Sequence, residues 1–440
     1  MLEFLLKLFF LYLPFQVALN PAEGFDLASV RIIIPLLFLA WLIDSLKNKE
    51  IIIPKGLTFF LLISFLFLAC FSLFFANNPI WGLRKLLFLL SIFPLFFIIY
   101  GISSSYPSKI LSLLKYTVWG AFLTASIGII QFLLQFLVPL DILYSTWAKM
   151  VVPFLGNSFS EAVLTNPSWL VNIGGYTLLR ATAFFPDPHM FSFYLNICAL
   201  ISLGIFFSHT KNQTSSNILT PNRGLGRHIY LIFFFILILA SFLTFSRGGY
   251  LGLIAGLLFF GFFTLKFKIK YFFSNANRVF LLIFILITFG LILAIPNPII
   301  NRLFSSFNLS EGSNVGRIQT WEQSLKVIQD NPIFGTGLGN YSLSIKPSAD
   351  YREPIYSHNT LLDIVAETGI LNALIWLLLF LFAIINFTRD FIKKNDFIQL
   401  GLASALISFS IHSLFETAVF SVHILPLIIL ILSLNNSKQN

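Results

Sequence analysis

Charged residues are scarce in this chain, at only 10% of its 440 residues. Soluble domains carry about 25%, whereas here the 54 phenylalanines outnumber the 28 basic and 18 acidic residues combined. Cysteine is also scarce, because Cys70 and Cys198 are the only two, and both lie in apolar runs where a thiol behaves as a small hydrophobic group. This composition excludes a soluble catalytic domain, a disordered chain, collagen and a disulfide scaffold.

Long apolar runs dominate the chain instead. Each spans about 20 residues, the length that a helix needs to cross the hydrocarbon core of a membrane. They predict an all-α polytopic membrane protein, with one integral membrane domain over residues 1–440 and about twelve transmembrane helices. The first run contains Glu3 and Lys7 and is followed by no small-residue cleavage site, so we expect it to be retained. The predicted helices are 3–19, 27–46, 57–75, 81–101, 110–138, 188–208, 229–245, 249–265, 279–295, 361–388, 397–415 and 420–434.

The formal net charge of +10 does not indicate a nucleic-acid partner, because the basic residues are scattered between the apolar runs rather than gathered into a stripe. They fall in alternate short loops, which marks those loops as cytoplasmic. Both termini are therefore predicted to be cytoplasmic and the segments 139–187 and 296–358 to be external. The second segment forms one long external loop between helices nine and ten. The basic loop residues are Lys47, Lys49, Lys55, Lys109, Lys211, Arg223, Arg227, Lys266, Lys268, Lys270, Arg278, Arg389, Lys393 and Lys394.

The long external loop contains an amphipathic pattern. Apolar residues recur every three or four positions over 316–330, with Ser313 or Asn314 as a cap and Asn331-Pro332 as a stop, which predicts a helix. It is followed by Gly335-Thr336-Gly337-Leu338-Gly339, which superficially looks like a nucleotide-binding loop. No strand precedes this segment and no helical run follows it, so we predict a flexible turn.

Three arginines stand out among the basic residues on the side predicted to be external, where the topology rule predicts few of them. Arg247 stands between glycines that allow close backbone approach, and its guanidinium offers a fork of donors that matches phosphate oxygens. Together with Arg180 and Arg317 it predicts a polyanionic ligand. The alternatives are structural: Arg247 pairs with a carboxylate such as Glu416, and the other two arginines provide solubility.

Two external histidines are candidates for proton transfer. His358 lies where the long loop enters the tenth apolar run, and an imidazole there suits a general base that takes a proton from a hydroxyl. The alternative is an interfacial histidine at a helix cap, with Ser357 or Asn359 forming the hydrogen bonds. His189 has no evident partner in the sequence.

The sequence contains none of the usual metal or nucleotide motifs. There is no helical histidine pair with a glutamate, no cysteine pair, no Asp-x-Asp and no phosphate-binding loop. We therefore expect no metal and no cofactor, and positive charge for an anionic substrate would come from arginine.

Three blocks of residues, in this order, resemble the O-antigen ligase and polymerase superfamily of bacterial membrane glycosyltransferases over about the last 260 residues. Arg180 resembles the family's arginine before the sixth helix, and Glu416 its acidic residue near the penultimate helix, which is commonly Asp. After Arg180 the family often has Pro-Asn or Pro-Ser, whereas this chain has Pro186-Asp187-Pro188-His189. The blocks are Ser246-Arg247-Gly248-Gly249-Tyr250-Leu251, then Gly316-Arg317 with Trp321 and the 331–337 turn, then His358-Asn359-Thr360-Leu361-Leu362 running into Glu367-Thr368-Gly369.

The resemblance implies transfer of a glycan from an undecaprenyl-diphosphate carrier to an acceptor hydroxyl, on the periplasmic face of the bacterial inner membrane. It implies catalytic roles for His358, Arg247 and Arg317, and substrate binding by Arg180, Arg247, Arg317 and Glu416. The partners would be the lipid-linked donor, a glycan or lipid acceptor and the membrane lipids. Lipid A core oligosaccharide is the first expectation for the acceptor, and a growing repeat unit or a protein hydroxyl are the alternatives.

Two other classes of function remain open at this stage. A transporter would also suit twelve helices, although the sequence shows no half-to-half repeat and no chain of intramembrane carboxylates. A scaffolding membrane protein would make the external arginines incidental, and their replacement would then have no effect.

Overall fold

The computed structural model of this protein describes residues 1–22, 25–106, 108–157, 164, 168–173, 175–208, 225–272, 312–351 and 355–436. In these ranges the chain is mostly helical, with two short antiparallel hairpins. The strands are β1 (Ala18–Ala22), β2 (Phe25–Ala28), β3 (Leu170–Ile173) and β4 (Tyr176–Leu179), paired β1 with β2 and β3 with β4.

The helices are numbered in chain order. Short 3₁₀ turns at Leu13–Phe15 and Ser72–Phe75 extend two of them. The α-helices are α1 (Leu2–Tyr12), α2 (Val30–Lys47), α3 (Leu57–Phe71), α4 (Pro79–Ile92), α5 (Leu95–Ser105), α6 (Ser108–Leu134), α7 (Leu140–Met150), α8 (Val152–Leu155), α9 (Pro188–Ser208), α10 (Leu225–Leu243), α11 (Arg247–Phe272), α12 (Gly312–Asp330), α13 (Tyr341–Ile345), α14 (Thr360–Thr368), α15 (Ile370–Lys394), α16 (Phe397–His412) and α17 (Ile424–Asn436).

Six helical segments of the described chain are long and apolar enough to cross a membrane, and three shorter apolar helices accompany them. A multi-pass membrane protein is therefore confirmed, whereas the count of twelve helices and their orientation stay predictions. The predicted run 279–295 lies outside the described residues. The six segments are Leu57–Phe75, Pro79–Ser105, Ser108–Leu134, Pro188–Ser208, Arg247–Phe267 and Ile370–Lys394, and the shorter three are His228–Leu243, Phe397–His412 and Ile424–Asn435.

Three of the predicted runs are divided by local backbone chemistry. In the run 81–101, Phe93 and Pro94 separate α4 from α5. The run 3–19 ends as an α-helix at Tyr12, and a 3₁₀ turn containing Pro14 leads into β1. The run 361–388 breaks at Gly369, which has a φ of 85° and lies against the backbone of Ile333. A side chain could not occupy that position without displacing the neighbouring backbone. The break makes α14 a separate short helix that is not part of a long span.

The centre of the bundle is α9, whose apolar window is entirely buried. It packs against α6, α10, α11 and α16. Gly204 and Gly401 let α9 and α16 approach closely, because a Cβ on either residue would lie 2.8 Å from a carbonyl oxygen of the opposite helix. This packing brings the first residues of α9 and α11 next to the last residues of α16.

The helix predicted over 316–330 is confirmed as α12, and its end before Asn331-Pro332 is as predicted. It begins at Gly312, so Ser313 and Asn314 lie in its first turn rather than at its cap. The helix packs against α13 and α14. The hydroxyl groups of Ser324 and Tyr341 form a buried hydrogen bond of 2.7 Å between α12 and α13.

The glycine-rich segment after α12 is a turn, as predicted, but hydrogen bonds to two other elements hold it, so it is not the flexible turn that the sequence predicts. Gly335, Gly337 and Gly339 all have positive φ values. The amide of Thr336 donates to the carbonyl of Ala366 at 2.8 Å, and the amide of Leu338 donates to the Ser72 hydroxyl at 3.1 Å. The turn therefore fastens the external loop to α14 and to the end of α3.

Candidate active site

His358 and Glu416 form the central pair of the candidate site. The Nδ1 atom of His358 lies 2.8 Å from Glu416 Oε1, and the side chains are 48% and 11% exposed, respectively. We refer to these two residues as the His–Glu pair. When Nδ1–H donates to the carboxylate, the lone pair of Nε2 is the one that accepts a proton.

The helix-capping role that the sequence left open for His358 belongs to Asn359. The Asn359 side chain accepts hydrogen bonds from the amides of Leu361 and Leu362, at the start of α14. His358 itself has a φ of 53°, in the left-handed region, which is uncommon for a non-glycine residue. The imidazole of His358 contacts Glu416, so His358 does not cap the helix.

The two pKa values of the pair shift in opposite directions. The hydrogen bond and the charge of Glu416 raise the pKa of His358 above its ordinary value of 6.5, against the opposing effect of burial. For Glu416, burial raises the pKa, but the hydrogen bond from His358 and the positive charges of His358 and Arg317 outweigh it and lower the pKa. The pair is thus an ion pair when His358 is protonated.

Arg317 reaches the same carboxylate from α12. Its Nη2 atom lies 3.9 Å from Glu416 Oε2, and its side chain is only 17% exposed. A charge that served solubility would point into water, so the solubility explanation does not fit Arg317. The carboxylate has one oxygen on the imidazole and the other near the guanidinium.

Asp363 connects the two segments that carry the His–Glu pair. Its Oδ1 atom accepts a hydrogen bond of 2.8 Å from the amide of Ser357, and its Oδ2 atom accepts one from the hydroxyl of Thr417. Ser357 and Thr417 are the neighbours of His358 and Glu416 in the sequence. Burial raises the pKa of Asp363 to about 6, against these hydrogen bonds, which lower it.

The sequence reasoning missed Asp363, although a signal was present. It is a carboxylate inside an otherwise apolar run, and ionisable residues in such runs are costly unless they are used.

A second group of polar residues, which we name the serine–histidine cluster, consists of His189, Ser246 and His412. The Ser246 hydroxyl lies 2.8 Å from His189 Nδ1 and 3.3 Å from His412 Nε2. His189, which has no evident partner in the sequence, therefore has Ser246 as its partner in the structure. Asp187 fixes the start of α9, because its Oδ1 atom accepts hydrogen bonds from the amides of His189 and Met190.

Two further arginines lie at this cluster. Arg247 follows Ser246 directly, begins α11 and is only 4% exposed. Arg180 is 6% exposed and donates to the carbonyl of Thr244 at 2.7 Å and to that of Ser168 at 3.2 Å. Burial of this degree does not fit a solubility role for Arg180.

The serine–histidine cluster and the His–Glu pair are linked through α16 and the residues that follow it. His412 contacts Ser246 at 3.3 Å and precedes Glu416 by four residues. Glu416 contacts both His358 and Arg317, Arg247 follows Ser246 in the chain, and Arg180 donates to the carbonyl of Thr244 just before Ser246. No group of three metal-binding side chains occurs among the described residues. The site therefore combines three buried or largely buried arginines with the partly exposed imidazole of His358.

Buried arginines around a histidine–carboxylate pair can bind an anionic group and accept a proton beside it. Residues 232–377 match the family model described as O-antigen ligase. This match confirms the relationship to the O-antigen ligase superfamily that the sequence motifs predicted. It contains Arg247, Arg317 and His358, whereas Arg180 and Glu416 lie outside it.

One curated relative is the ComP-specific O-oligosaccharyltransferase of Acinetobacter baylyi (strain ATCC 33305 / BD413 / ADP1). The two proteins are 28% identical over 249 residues, which is 54% of this chain. The matched part covers 40% of the relative's own length, less than half of it.

Proposed function

We propose that this protein transfers a glycan from an undecaprenyl-diphosphate carrier to an acceptor hydroxyl at the periplasmic face of the bacterial inner membrane. The observation that carries the proposal is the His–Glu pair, at 2.8 Å, beside Arg317 and next to the buried residues Arg180 and Arg247. The roles proposed for these residues are those that the sequence motifs imply.

On the donor side, the leaving group is a lipid diphosphate, and negative charge develops on it as the glycosidic bond breaks. Fixed guanidinium groups in a partly dry recess stabilise that charge without reorganising. Arg247 and Arg317 hold the diphosphate, and Arg180 contributes charge from its position against the carbonyl of Thr244. Arginine suits this task because its planar fork matches phosphate oxygens.

On the acceptor side, the hydroxyl oxygen attacks the anomeric carbon from the face opposite the diphosphate. The new C–O bond forms as the bond to the diphosphate breaks, and the bonding electron pair leaves with the phosphate oxygen. The hydroxyl proton moves to Nε2 of His358, while Glu416 fixes the tautomer and stabilises the imidazolium, as a carboxylate does for a catalytic histidine. Attack from the opposite face inverts the anomeric centre.

The acceptor that we propose first is lipid A core oligosaccharide. A hydroxyl on a protein is the second candidate, and the name of the Acinetobacter baylyi relative, a ComP-specific O-oligosaccharyltransferase, favours it. A growing repeat unit is the third. All three acceptors need the same base and the same arginines.

The test uses the purified 440-residue protein in proteoliposomes with a synthetic undecaprenyl-diphosphate glycan. Lipid A core, a glycan repeat unit and a serine-containing peptide are offered separately, and mass spectrometry detects the glycosylated product. We expect product with one acceptor and none from His358→Ala. Substrate flux across the bilayer without any product would favour a transporter and contradict the proposal.

A further inference from the structure

A basic cavity of about 250 Å³ lies at the starts of α2 and α4. Arg31 contributes from α2, and Arg84 and Lys85 contribute from α4, while Trp81, Tyr351 and Phe420 provide aromatic wall. The loops that precede these helices, 20–26 and 76–80, contain no Lys or Arg, so the same topology rule predicts them to be external. Arg31, Arg84 and Lys85 therefore break the rule in the same way as Arg247, and the proposed reaction gives them no role.

The charges in this basic cavity are not balanced within its described lining. The Lys85 ammonium lies 2.7 Å from both carboxylate oxygens of Glu367, so that pair is neutral overall. Arg31 and Arg84 remain as two guanidinium groups, and Glu367 is the one acidic residue of the described lining. The Nε atom of Arg31 is buried and has no hydrogen-bond partner among the described residues. A buried donor without a partner is costly, so a ligand oxygen there would be stabilised.

Aromatic rings form most of the remaining wall, and two of them lie against these cations. The guanidinium of Arg84 lies 4.9 Å from the ring centre of Tyr351, and the Lys85 ammonium lies 3.7 Å from that of Phe420. Trp81 meets Tyr351 edge to face at 5.4 Å. Flat aromatic walls pack well against the C–H face of a sugar ring. The volume is slightly below the roughly 300–1,000 Å³ of pockets for drug-sized ligands, which suits one sugar ring rather than a long chain.

The basic cavity adjoins the His–Glu pair. Tyr356 lines it and precedes His358 by two residues, which limits the separation of their Cα atoms to about 7 Å. Phe420 lies four residues after Glu416 on the other segment. A sugar ring bound in the basic cavity would therefore be one unit of a glycan whose next units lie near His358.

We propose that the basic cavity binds an anionic sugar unit of the acceptor, a ring that carries a carboxylate or a phosphate. The assignment of this sugar to the acceptor rests on the proposed transfer reaction. The binding of an anionic sugar in the cavity does not depend on that reaction. An anionic phospholipid headgroup shares the phosphate chemistry, but its flexible chain has no flat face for the aromatic walls.

The test measures binding by isothermal titration to the 440-residue protein in nanodiscs of phosphatidylcholine. The probes are D-glucuronate, D-glucose 6-phosphate, neutral D-glucose and dihexanoyl phosphatidylglycerol.

The cavity variants are Arg84→Gln and Arg31→Gln. The matched control is Arg389→Gln, near the C-terminal end of α15 and outside the cavity lining. Arg84 and Arg389 are both exposed, so neither substitution opens the core. We expect the sugar anions to bind and each cavity variant to weaken them at least about tenfold, as for the loss of a charge-assisted hydrogen bond. The control should bind like the parent.

Several outcomes would overturn this proposal: equal binding of glucose, binding of the phospholipid alone, no binding at all, or unchanged affinity in both cavity variants. His358→Ala separates this proposal from the transfer reaction, because it should bind the sugar anions normally. If His358→Ala kept full transfer while Arg84→Gln lost binding, the proposed base would be wrong, but the proposed role of the basic cavity would be supported.

The transfer assay tests the assignment to the acceptor. A raised KM for an acidic acceptor with unchanged kcat in Arg84→Gln would assign the site to the acceptor. A raised KM for the donor alone would refute that assignment.

Discussion

The imidazole of His358 and the carboxylate of Glu416 meet at 2.8 Å although 58 positions separate them in the chain. Asp363 holds the adjacent residues Ser357 and Thr417, so the distance is set by a buried network rather than by one contact. A base that is oriented in this way is the arrangement that general-base catalysis requires.

Replacing His358 with alanine should abolish nearly all transfer. General-base assistance contributes about 10²–10⁴ in rate, whereas affinity for the polyprenyl diphosphate comes from the arginines and the lipid chain. Turnover and donor binding are measured in the reconstituted protein. The control is His228→Ala, near the N-terminal end of α10. Normal turnover in His358→Ala would show that His358 is not the base and has only a structural role.

The pH dependence of transfer follows from the raised pKa of His358. Only the neutral imidazole accepts a proton, so the rate should rise with pH, and its midpoint should lie above 6.5 because Glu416 stabilises the charged form. Glu416→Gln removes that stabilisation and should move the midpoint to lower pH while the maximal rate falls. A midpoint that does not move between the parent and this variant would show that the titrating group is elsewhere.

The contact of Arg247 with the diphosphate is tested by a substitution that keeps the charge. Arg247→Lys loses the bidentate fork, so transfer should be strongly impaired. Arg389→Lys, at an exposed position near the end of α15, should retain full activity. Full activity in Arg247→Ala would remove this residue from the site.

Asp363 is expected to act as a positioning residue. Asp363→Asn removes the negative charge and weakens the hold on Thr417, so kcat should fall about 10- to 100-fold through misplacement of the base. The KM for the donor should stay the same, and the pH midpoint should move down because the Asp363 charge also raises the pKa of His358. A lower thermal stability with unchanged kcat and pH profile would indicate a purely structural role.

The orientation in the membrane can be checked with reporter fusions. The distribution of basic loop residues predicts that a reporter fused after Asn314 is external and one after Lys394 is cytoplasmic. A cytoplasmic result at Asn314 would put Arg317 on the side opposite to an outward-facing donor, and the proposed reaction would fail.

The sequence by itself determined the membrane class and most of the helices. Apolar runs of helical length gave Pro188–Ser208 with the predicted bounds, and the charge-poor composition excluded every soluble class. External arginines and the loop histidine stood out for the same reason, because charge is costly at the membrane and is kept there for use. Arg31, Arg84 and Lys85 carried this signal too, but single residues at helix starts do not show that they line one cavity.

Only the tertiary structure decided which polar residues are partners. It placed Ser246 between His189 and His412, joined Lys85 to Glu367 across 282 positions and gave Glu416 to His358 and Arg317. Local spacing fixes the face of one helix, but contacts between helices depend on how closely their backbones pack. Glycine pairs such as Gly204 and Gly401, and the break at Gly369, set that packing in this protein. A buried charge takes the partner that the packing brings within hydrogen-bond distance, and no pattern within a single segment records which one that is.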